Sequence, residues 1–125
     1  MAALGKVREA FRGYLRRIAE TDEERLAQEL QEWSQSVPGT VRIAQAQPRT
    51  RVKVAGVVRR ITIRPIEGFE ALAAVLYDGT GEVTAVWLGR RSVHGLTLGS
   101  RLIVEGVLGK EYDQLKMVNP TFEFA

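Results

Sequence analysis

The chain has 125 residues and a mass of 13.9 kDa, room for one domain and an appendage but not for two full domains. Hydrophobic residues make up 45% and charged residues 26%, an ordinary globular composition that argues against a disordered chain. The 18 Lys+Arg against 15 Asp+Glu leave +3, and the absence of cysteine excludes disulfide scaffolds, thiolate zinc sites, iron–sulfur clusters and cysteine nucleophiles.

Leu4, Val7, Phe11, Tyr14, Leu15 and Ile18 recur at steps of three and four, the pattern of one apolar helix face. This segment is basic, with Lys6, Arg8, Arg12, Arg16 and Arg17 against Glu9. The next is acidic, with Glu20, Asp22, Glu23, Glu24, Glu29 and Glu32 against Arg25. Thr21-Asp22-Glu23-Glu24 has the spacing of a capping box, which predicts a second helix showing Leu26, Leu30 and Trp33 and ending before Pro38-Gly39. No Gly or Pro separates the two segments, so one long bent helix is the alternative.

Beyond Pro38-Gly39 the apolar period falls to two. Val52, Val54, Gly56 and Val58 alternate with their neighbours, and Ile61 and Ile63 resume one residue out of phase. That slip predicts a β-bulge at Arg59-Arg60 within one long strand. Residues 70–78 and 82–88 form the second and third strands around the turn Asp78-Gly79-Thr80-Gly81. Gly89 to Gly99 is a connection, Leu102 to Leu108 a fourth strand and Leu115 to Val118 a fifth, ended by Asn119-Pro120. Val54-Ala55-Gly56-Val57 and Val104-Glu105-Gly106-Val107 share a glycine inside a strand, the mark of a sharp coil or a close backbone approach. Five strands with such bends predict a mainly β fold, a five-stranded Greek-key OB barrel over residues 38–125 with an α-helical extension over residues 1–37.

Three segments carry a family resemblance: Val54-Ala55-Gly56-Val57-Val58, Leu76-Tyr77-Asp78-Gly79-Thr80-Gly81-Glu82-Val83 and Gly99-Ser100-Arg101-Leu102-Ile103-Val104-Glu105-Gly106. In order and spacing they resemble OB-fold nucleic-acid-binding domains of the tRNA-anticodon-binding and RecG-wedge type. The ending Asn119-Pro120-Thr121-Phe122-Glu123-Phe124 is also similar to that of small stand-alone bacterial OB proteins with a helical N-terminal extension. The resemblance covers residues 40–125 and implies binding of single-stranded or branched DNA, or RNA, with little sequence preference.

Centring the hairpin on Gly79-Thr80 puts Leu72, Ala74, Leu76, Val83, Ala85 and Trp87 on one side, which is the expected barrel interior. The opposite side carries Val75, Tyr77, Glu82, Thr84, Val86 and Leu88, and in OB barrels this outer face binds the ligand. The N-terminal helices compete for it, because Phe11, Tyr14, Leu26 or Trp33 could fold back and cover it. The connection after the first strand holds Arg64, Pro65 and Phe69, with Arg59 and Arg60 just before it; Arg90 and Arg91 close the third strand, and the turn after the fourth holds Lys110, Tyr112 and Lys116. Cations beside aromatics suit phosphate contact and base stacking, so these residues, with Tyr77, Thr84 and Val86, are the candidate interface.

Enzyme readings lack their residues. Gly79-Thr80-Gly81 has no following Lys-Ser/Thr, His94 has no second ligand, and Asp78 suits turn chemistry, so neither catalysis, a metal nor a cofactor is expected. No apolar run reaches a membrane span and no signal core opens the chain, which predicts a cytoplasmic protein without a membrane partner. The alternative function is a protein–protein interaction or oligomerisation module, with the helices as docking surface.

Overall fold

The computed structural model describes residues 2–125, with side chains from Gly5 onward. One helix, α1 (Ala2–Ser36), precedes six strands: β1 (Arg51–Ile66), β2 (Phe69–Tyr77), β3 (Glu82–Leu88), β4 (Arg101–Glu111), β5 (Gln114–Val118) and β6 (Thr121–Phe124). A single 3₁₀ turn at Ile43–Gln45 lies between helix and barrel.

The expected break at Thr21 does not occur. The Thr21 hydroxyl donates to the Arg17 carbonyl one turn back (2.8 Å) instead of capping a new helix. With no Gly or Pro at the junction between them, the two amphipathic segments fuse into 35 helical residues. The helix ends where Pro38-Gly39 predicts, and Gly39 takes φ +81°.

The strands close on themselves. β1 pairs with β2, β2 with β3, β3 with β5 in parallel, β5 with β4, and β4 returns to the first half of β1. This circuit is the five-stranded OB barrel. Thr121–Phe124, which follow the five expected strands, form a further one: β6 pairs with Leu102–Glu105 of β4, beyond the stretch that pairs with β5. Two hairpins have two-residue turns, Glu67-Gly68 and Tyr112-Asp113, with all four residues at positive φ. Strands therefore extend further than their alternation suggested: Arg64, Pro65 and Phe69 lie in β1 and β2, not in a connecting loop, and Lys110 and Lys116 lie in β4 and β5, leaving Tyr112 in the turn.

Leu76 pairs with Val83 as expected, and Leu72, Ala74, Leu76, Val83, Ala85 and Trp87 all join the core with Val54, Val58, Leu102, Val104, Leu108 and Met117. The Trp87 indole N–H donates to the Pro120 carbonyl (3.1 Å), and its ring meets Phe122 edge-on with centroids 5.3 Å apart. The strand glycines serve close approach: a Cβ at Gly56 would stand 3.0 Å from the Tyr77 carbonyl oxygen, and one at Gly106 would press on Pro120.

α1 does not fold back over the β2–β3 face. Among the described residues it meets the barrel through its last turns: Ala27 and Gln31 pack on Gly79, Ser34 is buried, and the Arg101 guanidinium lies 4.8 Å from the Trp33 ring. The link to the barrel is secured by Asp78, 1% exposed. One carboxylate oxygen accepts from the Thr80 amide (2.8 Å), the Thr80 hydroxyl (2.7 Å) and the Gly81 amide (3.1 Å). The other accepts from the Ile43 amide (2.9 Å), while the Thr80 hydroxyl accepts from Ala44 (3.1 Å). The turn chemistry read from the sequence thus also fastens the linker.

Replacing Asp78 by Ala leaves these donors without their acceptor in a buried setting. The expected cost is about 2–4 kcal/mol, read in a thermal melt as a Tm lowered by roughly 8–16 °C. An unchanged Tm would show that the clamp contributes nothing.

Candidate nucleic-acid interface

The bulge predicted at Arg59-Arg60 is present: Val58 opposes Leu76, Arg60 opposes Val75, and Arg59 is the extra residue. Its effect is to exchange the two faces of β1. Before it Val54 and Val58 point into the core; after it Ile61 and Ile63 pair with Ala74 and Leu72, which face inward, and Ile61 packs on the core. Arg60, Thr62 and Arg64 therefore fall on the outer face beside Val75, Ala73 and Ala71.

Across β2 the same face continues, because Thr84 opposes Val75 and Val86 opposes Ala73. The parallel pairing of β3 with β5 then sets Lys116 beside Thr84. The result is a groove with a floor of small or apolar residues, walled by the ends of the β1–β2 and β4–β5 hairpins. It consists of two adjoining clefts, about 400 Å³ and 510 Å³, which share Arg64, Thr84, Gln114 and Leu115. Val86 and Tyr112 line the first, Arg60, Val75 and Lys110 the second.

Seven of the twelve candidate residues thus converge on one groove: Arg60, Arg64, Thr84, Val86, Lys110, Tyr112 and Lys116. The others lie outside its lining. Arg59 stacks on Tyr77, its guanidinium carbon 3.4 Å from the ring centroid, and pairs with Glu82 at 3.3 Å, so cation and aromatic occupy each other. Phe69 sits past the β1–β2 turn, 68% exposed. Arg91 is held by Glu70 at 2.8 Å, and Arg90 follows β3 at the same end. Sequence reasoning missed Ala73, Gln114 and Leu115, because small or neutral residues on an outer face resemble core or loop; the strand register could have placed Ala73.

Electrostatically the groove's cations differ. Lys110 lies 3.7 Å from Asp113 and Lys116 3.6 Å from Glu111, pairs open to solvent and worth little. Arg60 and Arg64 have no acidic partner among the described residues; Arg64 meets only the Thr62 hydroxyl at 3.4 Å. Tyr112 is 94% exposed at φ +50°, a conformation that bulky residues adopt at a cost. Among the described residues there is no cluster of His, Cys, Asp and Glu able to hold a metal, and no helix long and apolar enough to cross a membrane.

An outer groove across β2 and β3, between the turns that follow β1 and β4, is the ligand position of the OB class. Comparison with solved structures agrees on the fold. The chain is similar to the replication factor A related protein of Methanobacterium thermoautotrophicum, with a TM-score of 0.58 and 15% identity over 69% of this chain and 90% of that one. It is similar to RecG bound to a three-way DNA junction, at 0.58 and 18% over 67% of this chain but 12% of RecG. A replication protein A heterotrimer bound to single-stranded DNA matches at 0.50 and 15%, over 71% and 67% of the two chains. No protein-family model and no curated protein matches the sequence.

Because the bulge decides which side chains reach the groove, its residue count matters more than its residue type. Replacing Arg59 by Ser should cost at most about 1–2 kcal/mol, since it removes one half-exposed ion pair and one cation–π contact. Inserting an Ala between Val75 and Leu76 would give Arg59 a partner in β2, turn Arg60 and Arg64 inward and Ile61 and Ile63 outward, and should abolish the cooperative melt, whereas deleting Arg59 only removes the bulge and leaves both faces as they are. An insertion variant that melts like the parent would overturn this account.

Proposed function

We propose that this protein binds nucleic acid without catalysing a reaction, taking a single strand, or the unpaired part of a branched structure, into the groove across β2 and β3 with little sequence preference. The observation that carries the proposal is the placement of Arg60 and Arg64, unpaired among the described residues, on the wall of a groove floored by Ala73, Val75, Thr84 and Val86. The two guanidiniums contact phosphates, while Lys110 and Lys116 can exchange their weak ion pairs for phosphate oxygens. Base faces lie on the apolar floor and stack on Tyr112, each stacked base contributing on the order of 1–3 kcal/mol. Such a floor favours strands with exposed base faces, which a closed duplex hides. The neighbours support this reading through their own ligands: one is bound to single-stranded DNA and one to a three-way DNA junction. Arg59, Phe69, Tyr77, Arg90 and Arg91 would act, if a longer strand is engaged, as flanking contacts outside the groove. A cytoplasmic setting suits this function.

Fluorescence anisotropy with a labelled single strand of about 20 nucleotides, at roughly 50 and 200 mM salt, tests the proposal. Binding should be micromolar or tighter at low salt and should yield to single-stranded or branched competitors before duplex. Arg60→Ser with Arg64→Ser removes two phosphate contacts and should flatten the log–log salt slope by about 1.4, while leaving the melt near that of the parent. Unchanged affinity and slope in a folded double variant would remove the groove from the mechanism.

A further inference from the structure

One large surface is left without a role. Val7, Phe11, Tyr14, Leu15 and Ile18 form an apolar stripe on α1, between 42% and 65% exposed, and Leu26 extends it at 59%. Successive helical residues turn by about 100°, so Ile18 and Ala27 point in opposite directions, as nearly do Phe11 and Gln31. Ala27 and Gln31 are the residues that pack on Gly79. The stripe therefore faces away from its own barrel, and the chain cannot cover it. The surface total agrees: 8670 Å² is exposed, against the roughly 6,700 Å² that a compact monomer of this mass exposes. The surplus, about 2,000 Å² per chain, is more than enough for each partner's share of a standard two-chain interface.

Charge says what the occupant is. The N-terminal half of α1 carries Lys6, Arg8, Arg12, Arg16 and Arg17 against Glu9, and the C-terminal half carries six acids against Arg25. Two such helices side by side in parallel would set like charges together; antiparallel, each basic half meets an acidic one. We propose that two copies of this chain pair through α1 in antiparallel orientation, burying stripe against stripe. Overlap of the apolar residues and of the basic with the acidic halves is served when the helices cross between residues 16 and 17. Val7 of one copy then lies beside Leu26 of the other, Leu15 beside Ile18, and the basic stretch Lys6–Arg12 runs alongside residues 21–27, where Asp22, Glu23 and Glu24 outnumber Arg25.

Sedimentation equilibrium of the full chain, without nucleic acid, should give twice 13.9 kDa at micromolar concentration. Phe11→Glu with Ile18→Glu should raise the dissociation constant at least about 100-fold and leave the barrel's melt unchanged. A parent chain still monomeric at roughly 100 µM overturns the proposal. Orientation is read from cysteines, since the chain has none. Oxidising a mixture of the Val7→Cys and Leu26→Cys variants should give the mixed disulfide. Val7→Cys alone should not cross-link to itself, because its two copies lie roughly 28 Å apart along the helix pair. Self-linking of Val7→Cys in preference to the mixed product would overturn the antiparallel arrangement.

Discussion

The constraint on which most of this molecule depends is a count: β1 holds one residue more than its partner β2 requires, and Arg59 is that residue. A strand of 16 residues without a bulge would keep Val54, Val58 and then Arg60 and Arg64 on one face. The interior would receive two guanidiniums without partners, each costing several kcal/mol, while Ile61 and Ile63 faced water. With the bulge, one strand serves the core on both its halves and still presents cations outward on the second. The fold and the candidate interface rest on the same irregularity, so neither can be altered there without the other. Its side chain is used as well: Arg59 lies on Tyr77 and pairs with Glu82, closing the bulge against the edge of the β2–β3 hairpin.

A second constraint keeps helix and groove apart. Asp78 is buried, and its acceptors are filled by Thr80, Gly81 and Ile43, which ties the linker to the β2–β3 turn. The contacts of α1 with Gly79 bring the helix to the same turn. Gly79, at φ +90°, is suited to both demands, the left-handed backbone and the absent side chain. The helix is thereby anchored at one end of the barrel, and the outer face of β2 and β3 remains open. The apolar residues of that face form a narrow groove floor, with Val75 at 8% and Val86 at 3% exposure.

Much of this was legible in the sequence because it depends on local pattern. The slip between Val58 and Ile61 marks the bulge, and Asp78-Gly79-Thr80-Gly81 fixes the register that sends Trp87 inward. Thr21 to Glu24 misleads because a capping box and an ordinary acidic helix surface have the same residues; only the flanking backbone distinguishes them. Strand ends were read short because Glu67-Gly68 and Tyr112-Asp113 make tight hairpin turns, and Glu and Tyr are poor indicators of positive φ. Which arginines remain unpaired was out of reach. Arg59 finds Glu82 and Arg91 finds Glu70 across strands, whereas Arg60 and Arg64 meet no acid among the described residues, and nothing in the neighbouring sequence separates the two groups.

The two surfaces also differ in what they ask of a partner. On the proposed function, two arginines without an acidic partner among the described residues and two weakly paired lysines would give a single barrel modest affinity for a polyanion. The proposed helix pair, crossing near residue 16 with each barrel anchored around residue 30, would hold the two anchor points roughly 40 Å apart along the pair. Occupation of one groove by a long strand would then make the second encounter intramolecular, and a fixed spacer would give that encounter a high effective concentration only for strands able to span it. Affinity that a small groove cannot supply alone would come from length. The acidic half of each helix, beside its own barrel, would discourage such a strand from following the helix and leave the grooves as the attractive sites. On the two proposals together, the lengthwise charge polarity of α1 would serve both surfaces, matching a second copy in reverse and keeping the polyanion on the β2–β3 face.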